Sequence, residues 1–472
     1  MMALQQRKNN RHLTAYLYTQ LSCLMIGGTL NVCPFVYAQS TSAALSPLHP
    51  PITLGTLQTG QDAPERPDAW FDGSAPFSGR LVYAWDTAPI FFSGLGNDPP
   101  WQSYLTVHPL ESGRQGTVVA SSATGSVTYP VLIPKYEAVF QPQYSPDGTK
   151  GLIRVGNYLT TNYVTYRPLI LDIKAGKLTE VEAPNYSIGN LTVLWSSDSR
   201  YIAYLRHGFA LPFGGQDTAQ LYVYDTRAGK NQQVVENEGV KDSFAWTSGD
   251  KLLYSIFPPG TPPTRPPADL YEFSVATGKS VLLRHDAYRP ASSPDGKEVV
   301  FMAVSDPRTS GKSRTPNRTP FNFTYKYAAN KYLVVWSRVS GKAHLIRQEQ
   351  APHFSELRWF PDSRGLVLTN RRVVSETQDQ ADITTYDLET DKLRKVAAVP
   401  YADYEQIDSR RPLFVPLTVA KNSDWLFFTV QQPYMATPID HGQFLRAIRL
   451  ADGTVSTLCF VPGYNGLDWQ EK

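Results

Sequence analysis

One short motif recurs through this chain and constrains its fold more than any other feature. The segments QYSPDGTKGLI (residues 143–153) and SSPDGKEVVFM (residues 292–302) are close copies. Four weaker copies begin at positions 195, 246, 359 and 421, with the sequences WSSDSRYIAYL, WTSGDKLLYSI, WFPDSRGLVLT and KNSDWLFFTV. A motif that returns at intervals of roughly 50 residues indicates a repeat architecture.

A second repeated element follows each motif and predicts a β-hairpin. Its apolar strands flank a turn that is centred on Gly113, Gly176, Gly229, Gly278, Gly341, Asp391 and Gly453. Together with the motif, each repeat has the pattern of four strands joined by turns. Because a single such unit cannot cover both of its faces, we expect the repeats to pack radially. The sequence therefore predicts an all-β fold, a seven-bladed β-propeller of four-stranded blades.

The end of the chain predicts how the ring closes. The segment GLDW (466–469) resembles the inner-strand endings ELRW (356–359) and SFAW (243–246). We therefore expect the C-terminal strand to complete the N-terminal blade, which leaves no open sheet edge inside the ring. The alternative is that DAWFDG (68–73) supplies this strand.

The first 38 residues differ in composition from the rest. Arg7, Lys8 and Arg11 precede a broadly apolar stretch, and VYA (36–38) provides small residues before a cleavage point. This pattern is typical of a secretory signal. The alternative is an uncleaved membrane anchor.

The sequence predicts a signal peptide (1–38), an N-terminal arm (39–75) and a propeller (76–472). The location is then periplasmic or secreted, without stable membrane insertion after cleavage.

Charge and cysteine content narrow the classes of partner. The chain has 45 Lys and Arg and 42 Asp and Glu; removal of the three basic residues of the predicted signal leaves 45 − 3 = 42 of each sign. A neutral chain gives no electrostatic basis for nucleic-acid binding. Cys459 is the only cysteine after position 38. The predicted mature chain therefore has no internal disulfide.

The motif also carries a family resemblance. Residues 145–148 (SPDG) and 293–297 (SPDGK) resemble the TolB-like or WD40-like β-propeller repeats of bacterial periplasmic proteins, and the resemblance covers residues 76–469. TolB itself resembles an α/β domain followed by a propeller, whereas only residues 39–75 precede the propeller here. Related peptidases carry an α/β-hydrolase domain, but this chain has no Gly-x-Ser-x-Gly motif. The resemblance therefore implies a stand-alone propeller without peptidase activity.

The repeated aspartates of the motif are predicted to be structural. In a turn, Pro fixes φ, Asp accepts backbone N–H groups and Gly adopts positive φ. Equivalent turns of a ring lie far apart, so their carboxylates cannot converge on one metal ion. The chain contains no P-loop, dinucleotide fingerprint or zinc-ligand spacing. We therefore predict no catalytic residues, no metal and no cofactor.

The irregular segments are the better candidates for function. Connections on one end of the predicted propeller are long, and loops carry binding sites in rigid scaffolds. Aromatic side chains before the inner strands suit peptide or sugar contacts, although each could instead pack its loop against a blade. The predicted ligand-binding face comprises Tyr136, Tyr186, Tyr288, Arg289, His353, Tyr404 and Tyr464.

These features predict an exported, non-catalytic propeller that binds a protein or peptide of the cell envelope. The alternative is a carbohydrate-active propeller, either a lyase or a glycan-binding protein. Seven-bladed oligogalacturonate lyases, as a family, hold a divalent metal with histidines and a glutamine. Gln350, His353 and Arg289 could serve such a site, but Ser355 stands where a second histidine would strengthen the match.

Overall fold

The computed structural model describes twenty segments of the chain, and the compact unit Pro47–Lys472 contains all of them. The described residues are 53–54, 58–59, 70–72, 77–86, 103–110, 117–119, 127–132, 137–157, 166–181, 193–207, 219–234, 240–247, 249–256, 269–303, 331–349, 356–374, 378–403, 414–432, 442–462 and 466–471.

All of the ordered elements in these segments are β-strands, which form seven antiparallel sheets. Five of the sheets have four strands, in the order of the chain. Sheet 2 contains β8 (Glu137–Tyr144), β9 (Lys150–Asn157), β10 (Tyr166–Asp172) and β11 (Lys177–Glu180). Sheet 3 contains β12 (Val193–Trp195), β13 (Tyr201–His207), β14 (Ala219–Asp225) and β15 (Lys230–Gln233). Sheet 4 contains β16 (Val240–Trp246), β17 (Lys251–Ile256), β18 (Asp269–Ser274) and β19 (Lys279–Arg284).

The last two four-stranded sheets follow the same plan. Sheet 5 contains β20 (Tyr288–Ser292), β21 (Glu298–Ala303), β22 (Lys331–Ser337) and β23 (Ala343–Glu349). Sheet 6 contains β24 (Glu356–Trp359), β25 (Gly365–Val373), β26 (Gln378–Asp387) and β27 (Lys392–Asp403).

Sheets 1 and 7 have six strands each. Sheet 1 contains β1 (Thr53–Leu54), β2 (Gln58–Thr59), β4 (Gly79–Asp86), β5 (Ser103–Leu110), β7 (Val127–Leu132) and β32 (Leu467–Glu471). Sheet 7 contains β28 (Phe414–Val419), β29 (Trp425–Gln432), β30 (Gly442–Arg449), β31 (Val455–Pro462), β3 (Trp70–Asp72) and β6 (Thr117–Val119). The prediction of seven blades with four strands each is therefore wrong in this form, because N-terminal strands extend two of the sheets.

The additional strands lie on the outer edges of these two sheets. β1 and β2 pair with β7, whereas β3 pairs with β31 and also with β6. The prediction of a hairpin around Gly113 is therefore wrong. β6 is part of sheet 7, and β7 is the strand that pairs with β5 in sheet 1. The connection from β5 to β7 is long enough to include β6 in sheet 7 and to return the chain to sheet 1.

The inner edge of sheet 1 is formed by the C-terminal strand. β32 pairs with β4, with Asp468 opposite Val82 and Trp469 opposite Leu81. This pairing was predicted from the GLDW segment. The alternative is wrong, since the DAWFDG segment supplies β3 of sheet 7 instead.

Seven hydrophobic clusters hold the sheets together, and each cluster is shared by two neighbouring sheets. They join sheets 1 and 2, 2 and 3, 3 and 4, 4 and 5, 5 and 6, 6 and 7, and finally 7 and 1. The packing is therefore cyclic, and the all-β propeller fold is confirmed. Because burial of apolar surface is the main stabilising force, every sheet depends on both of its neighbours.

The repeated motif forms the turn between the first and second strands of a sheet. In sheet 2, Ser145 Oγ donates to Asp147 Oδ1 (2.6 Å), and the same carboxylate accepts the Thr149 N–H (3.0 Å). Gly148 has φ +67° and donates its N–H to the Ser145 carbonyl. Burial raises the pKa of Asp147, but these hydrogen bonds outweigh it and hold the pKa below its ordinary value. The structural role predicted for the aspartate is confirmed.

Candidate functional site

The first strands of the sheets line the axis of the propeller. Neighbouring sheets approach each other at these strands, as β4 and β32 do with β8, β16 with β20, and β24 with β28. One position of each first strand is half-buried in all seven sheets; it stands two residues before the turn in sheets 2 to 7 and at the matching register position of β32 in sheet 1. We call this set the channel ring. Its members are Asp468, Gln143, Leu194, Ala245, Ala291, Arg358 and Thr418, from sheets 1 to 7.

The register confirms that these seven positions are equivalent. Each pairs with a fully buried residue of the second strand of its own sheet. The partners, in the same order, are Val82, Leu152, Ala203, Leu253, Val300, Val367 and Phe427. The channel ring is therefore one layer of side chains at one height along the axis.

The composition of the channel ring divides it into two arcs. Arg358, Thr418, Asp468 and Gln143 come from four consecutive sheets and form a polar half. Leu194, Ala245 and Ala291 form an apolar half. This layer is therefore polar on one side of the axis and apolar on the other.

Arg358 joins sheet 6 to sheet 7 in the polar half. Its guanidinium donates to the carbonyls of Leu417 (2.8 Å), Pro416 (2.6 Å) and Leu357 (2.8 Å). The register of β28 shifts between Pro416 and Thr418, so two of these carbonyls belong to a β-bulge. Burial lowers the pKa of Arg358, while Glu356 and Asp468 oppose this effect. The cation thus satisfies backbone groups that the bulge removes from the ladder.

Asp468 joins sheet 1 to sheet 2 on the other side of Thr418. Its Oδ2 accepts the backbone N–H of Tyr144 at 2.7 Å. Burial raises the pKa of Asp468 to about 6, although the N–H groups of Tyr144 and Trp469 and the charge of Arg358 act in the opposite direction. Within the described residues the two charged groups form no direct ion pair. Asp468 therefore changes its protonation state close to neutral pH.

Gln143 follows Asp468 in the channel ring and provides a hydrogen-bond acceptor. Its Oε1 is buried and has no hydrogen-bond partner among the described residues. A buried amide oxygen without a partner is costly. The polar half therefore offers a cation, a titrating carboxyl group and an open acceptor within four neighbouring strands.

Tryptophan side chains join the sheets of the apolar half. Trp246 Nε1 donates to the Leu194 carbonyl (3.0 Å), and Trp359 Nε1 donates to the Ala291 carbonyl (3.2 Å). Each indole thus reaches from its own first strand to the preceding one. Trp195 lies at the matching place in sheet 3, but its buried Nε1 has no partner among the described residues.

Of the residues predicted for the ligand-binding face, Tyr288 and Arg289 lie in described segments. Tyr288 is only 5% exposed and packs with Met302 and Leu333 between sheets 5 and 6. Arg289 is half-buried with φ +53°, at the register shift between Tyr288 and Ala291. Positive φ is uncommon for residues other than glycine. Tyr136, Tyr186, His353, Tyr404 and Tyr464 lie outside the described residues, as does Gln350.

No group of three or more His, Cys, Asp or Glu side chains in the described segments is arranged to hold a metal ion. Cys459 is buried on β31, and burial raises the pKa of its thiol to about 12. Within the same segments, no helix is both long enough and apolar enough to span a bilayer.

Sequence reasoning did not identify the channel ring. Its signal was present in the repeats, because six members stand two residues before the start of the repeated turn and Asp468 precedes the tryptophan of the matching GLDW segment. The tyrosines were chosen instead because aromatic residues near predicted loops are a common sign of binding sites. A comparison of equivalent positions for charge would have found Arg358 and Asp468.

Sequence comparison relates the chain loosely to TolB-like propellers. No family model matches it. It is 26% identical to the Tol-Pal system protein TolB of Francisella tularensis subsp. holarctica (strain OSU18) over 216 residues, 44% of this chain and 45% of that protein. The same protein of Francisella tularensis subsp. tularensis (strain SCHU S4 / Schu 4) is 26% identical over 204 residues, 42% of each chain. The chain thus spans less than half the length of the curated relatives it matches.

Solved structures give similarities of the same modest level. TolB from Acinetobacter baumannii has a TM-score of 0.41 and 11% identity, with 79% of this chain and 80% of that chain covered. An oligogalacturonate lyase in complex with manganese has a TM-score of 0.44 and 12% identity, with coverage of 80% and 85%. The β-propeller domain of the Trilobed protease from Pyrococcus furiosus has a TM-score of 0.45 and 11% identity, with coverage of 86% and 97%. Similarities this low do not identify a function.

Proposed function

We propose that this protein is an exported β-propeller of the periplasm or extracellular space that binds a protein or peptide of the cell envelope without catalysis. The observation that carries the proposal is an asymmetry between the two ends of the sheets. At one end, the connections from first to second and from third to fourth strands are short in sheets 2 to 7, as in residues 145–149 and 226–229. We call this the short-turn end.

The opposite end carries the connections from second to third strands and from each sheet to the next. Most of these are longer, as in residues 87–102, 257–268 and 304–330. Antiparallel pairing places all of them at one end, which we call the loop-bearing end. A rigid scaffold that presents long segments on one side is the usual arrangement of a binding protein.

One residue of the predicted ligand-binding face, Arg289, supports the assignment to this end. Arg289 stands where β20 enters the sheet from the loop-bearing end, two residues before the channel-ring position Ala291. A partner segment that contacts Arg289 would therefore lie over the channel. The loose similarity to TolB also favours a binding protein.

Affinity capture from the native envelope tests the proposal. One variant replaces residues 306–329 by a short Gly-Ser linker, and a second is Arg289→Ala, which removes a half-buried side chain from this end. The matched control is Ala228→Glu in the exposed turn between β14 and β15 at the short-turn end. We expect the wild type and Ala228→Glu to capture the same protein, and the two loop-end variants to lose it.

Two results would contradict the proposal. Loss of the captured protein with Ala228→Glu alone would move the binding surface to the short-turn end. Formation of unsaturated products from polygalacturonate, followed by ultraviolet absorbance, would instead support the carbohydrate-active alternative. Tyr288→Ala is a poor probe, because removal of this buried ring would cost about 3 to 5 kcal/mol of stability.

A further inference from the structure

The outer edge of sheet 4 carries two adjacent exposed apolar side chains, whereas the outer strand of sheet 6, β27, carries one, Leu393. The first four residues of β19, Lys279, Ser280, Val281 and Leu282, are all exposed. Val281 is 61% exposed and Leu282 is 40% exposed. Since successive side chains of a strand point to opposite faces, both faces of β19 are open to solvent. Among the described strands, β19 has a hydrogen-bonded neighbour, β18, on one side only.

The main chain of β19 also directs hydrogen-bonding groups away from the sheet. In the equivalent hairpin of sheet 5, Ser337 N–H donates to the Lys342 carbonyl, which marks the closing pair as hydrogen-bonded. The corresponding closing pair of sheet 4 is Ser274 and Lys279. Because hydrogen-bonded pairs alternate with non-bonded pairs, the N–H and carbonyl of Ser280 point outward. The same holds for Leu282.

Other outer edges of this molecule already accept added strands. β7 of sheet 1 pairs with β1 and β2, and β31 of sheet 7 pairs with β3. Strand addition at an outer edge is therefore compatible with the packing of this propeller. β19 is six residues long, which is enough to pair with a short extended segment.

The charges of β19 determine which segment fits. Lys279 and Arg284 stand at its two ends, and the strand contains no acidic residue. In an antiparallel pair with a second copy, Ser280 would lie opposite Leu282 of that copy, because only these two residues direct backbone groups outward. Lys279 would then face Leu283, so a second copy supplies no acidic partner for the cationic ends of β19. An apolar segment with an acidic residue at each end satisfies both the edge and the charges.

We propose that the outer edge of β19 is a second interaction surface, which binds an extended segment of another protein with an apolar centre and acidic ends by antiparallel strand addition. Backbone groups of Ser280 and Leu282 pair with the added strand. Val281 and Leu282 contact its apolar side chains on the two faces, and Lys279 and Arg284 pair with its ends. This surface lies on the rim of sheet 4 and does not depend on the loop-bearing end.

Fluorescence anisotropy with two labelled peptides tests this surface on the full chain. The probe is Glu-Thr-Val-Val-Thr-Glu, whose glutamates have the spacing of Lys279 and Arg284 and whose valines point to opposite faces; the control peptide has lysine in place of both glutamates. We expect saturable binding of the acidic peptide and at least tenfold weaker binding of the basic one. Ser280→Pro removes the outward N–H and should weaken binding at least tenfold, because proline cannot donate. Ser280→Ala keeps the N–H and should bind as the wild type does.

A second variant distinguishes loss of binding from misfolding. Val281→Lys changes a side chain that is 61% exposed, so it should keep the melting temperature of the wild type and still weaken binding of the acidic peptide. No saturation below about 1 mM, equal binding of both peptides, or unchanged binding by Ser280→Pro and Val281→Lys would overturn the proposal. A concentration-dependent dimer that Val281→Lys dissociates would assign the edge to a second copy and would also overturn it.

Discussion

The two halves of the channel ring join neighbouring first strands through different kinds of hydrogen bond. In the apolar half, an indole N–H bonds to the carbonyl of the neighbouring first strand, as Trp246 does with Leu194. In the polar half, a guanidinium and a carboxylate make the corresponding links, through Arg358 and Asp468. Neutral links keep their strength at any pH, whereas the charged links depend on protonation and on burial. We therefore expect the links of the polar half to respond to pH and to loss of charge, and those of the apolar half to be insensitive to pH.

Removal of β32 should have the largest effect on this comparison, because the strand carries the charged links of sheet 1. Deletion of residues 467–472 takes away the buried side chains of Leu467 and Trp469 and the ladder with β4. Two large core side chains alone contribute about 5 to 8 kcal/mol. We expect the deleted chain to be unfolded or to melt far below the wild type in a thermal scan followed by circular dichroism. A melting temperature equal to that of the wild type would show that β32 does not hold the ring.

Arg358→Met should have the next largest effect. The variant leaves the carbonyls of Pro416 and Leu417 without a donor, and charge-assisted hydrogen bonds contribute about 1.5 to 3 kcal/mol each. We expect a loss of about 3 kcal/mol in urea unfolding. The control in the apolar half is Ala245→Ser, which should change stability by no more than about 0.5 kcal/mol. Similar small losses for both variants would remove the distinction between the halves.

Asp468→Asn should change the pH dependence of stability. Burial raises the pKa of Asp468 to about 6, so the folded state favours the neutral carboxyl. The stability that this preference provides is complete below the unfolded pKa, near 4, and is lost as the pH rises through 6. The asparagine variant does not titrate. Its stability relative to the wild type should therefore increase by about 2 kcal/mol between pH 4.5 and pH 7.5.

Urea unfolding of both proteins at these two pH values measures this shift. An unchanged difference between them would mean that Asp468 is ionised throughout. A decrease of the variant's relative stability with rising pH would show that the pKa is lowered in the folded protein.

Trp246→Phe and Trp195→Phe should show the smallest difference. Both variants keep a ring in place, but only the first loses a hydrogen bond, to the Leu194 carbonyl. Because a neutral hydrogen bond contributes about 1 kcal/mol, Trp246→Phe should be less stable than Trp195→Phe by about that amount. Equal losses in matched denaturant titrations would mean that indole links do not stabilise the apolar half.

The sequence was sufficient for the repeated parts of the fold because their chemistry is local. The Ser145–Gly148 turn and the pairing of β32 follow from short motifs that recur at equivalent places. The joining of β6 to sheet 7 depends on contacts between distant segments, which no repeat records. The hydrogen bonds of Arg358 could not be predicted from the local sequence either, because they depend on a bulge in another sheet. The roles of Tyr136, Tyr186, Tyr288, Arg289, His353, Tyr404 and Tyr464 remain predictions.

The position of β32 determines how the protein would be oriented when it is immobilised through its C-terminus. Its last residues bond to the turns of both neighbouring sheets, through Gln470 to the Pro146 carbonyl and through Glu471 to the Lys421 N–H. A tether placed after Glu471 therefore leaves the molecule at the short-turn end. A sensor chip or bead loaded through such a tether would hold the loop-bearing end toward the solution, with the channel axis directed outward.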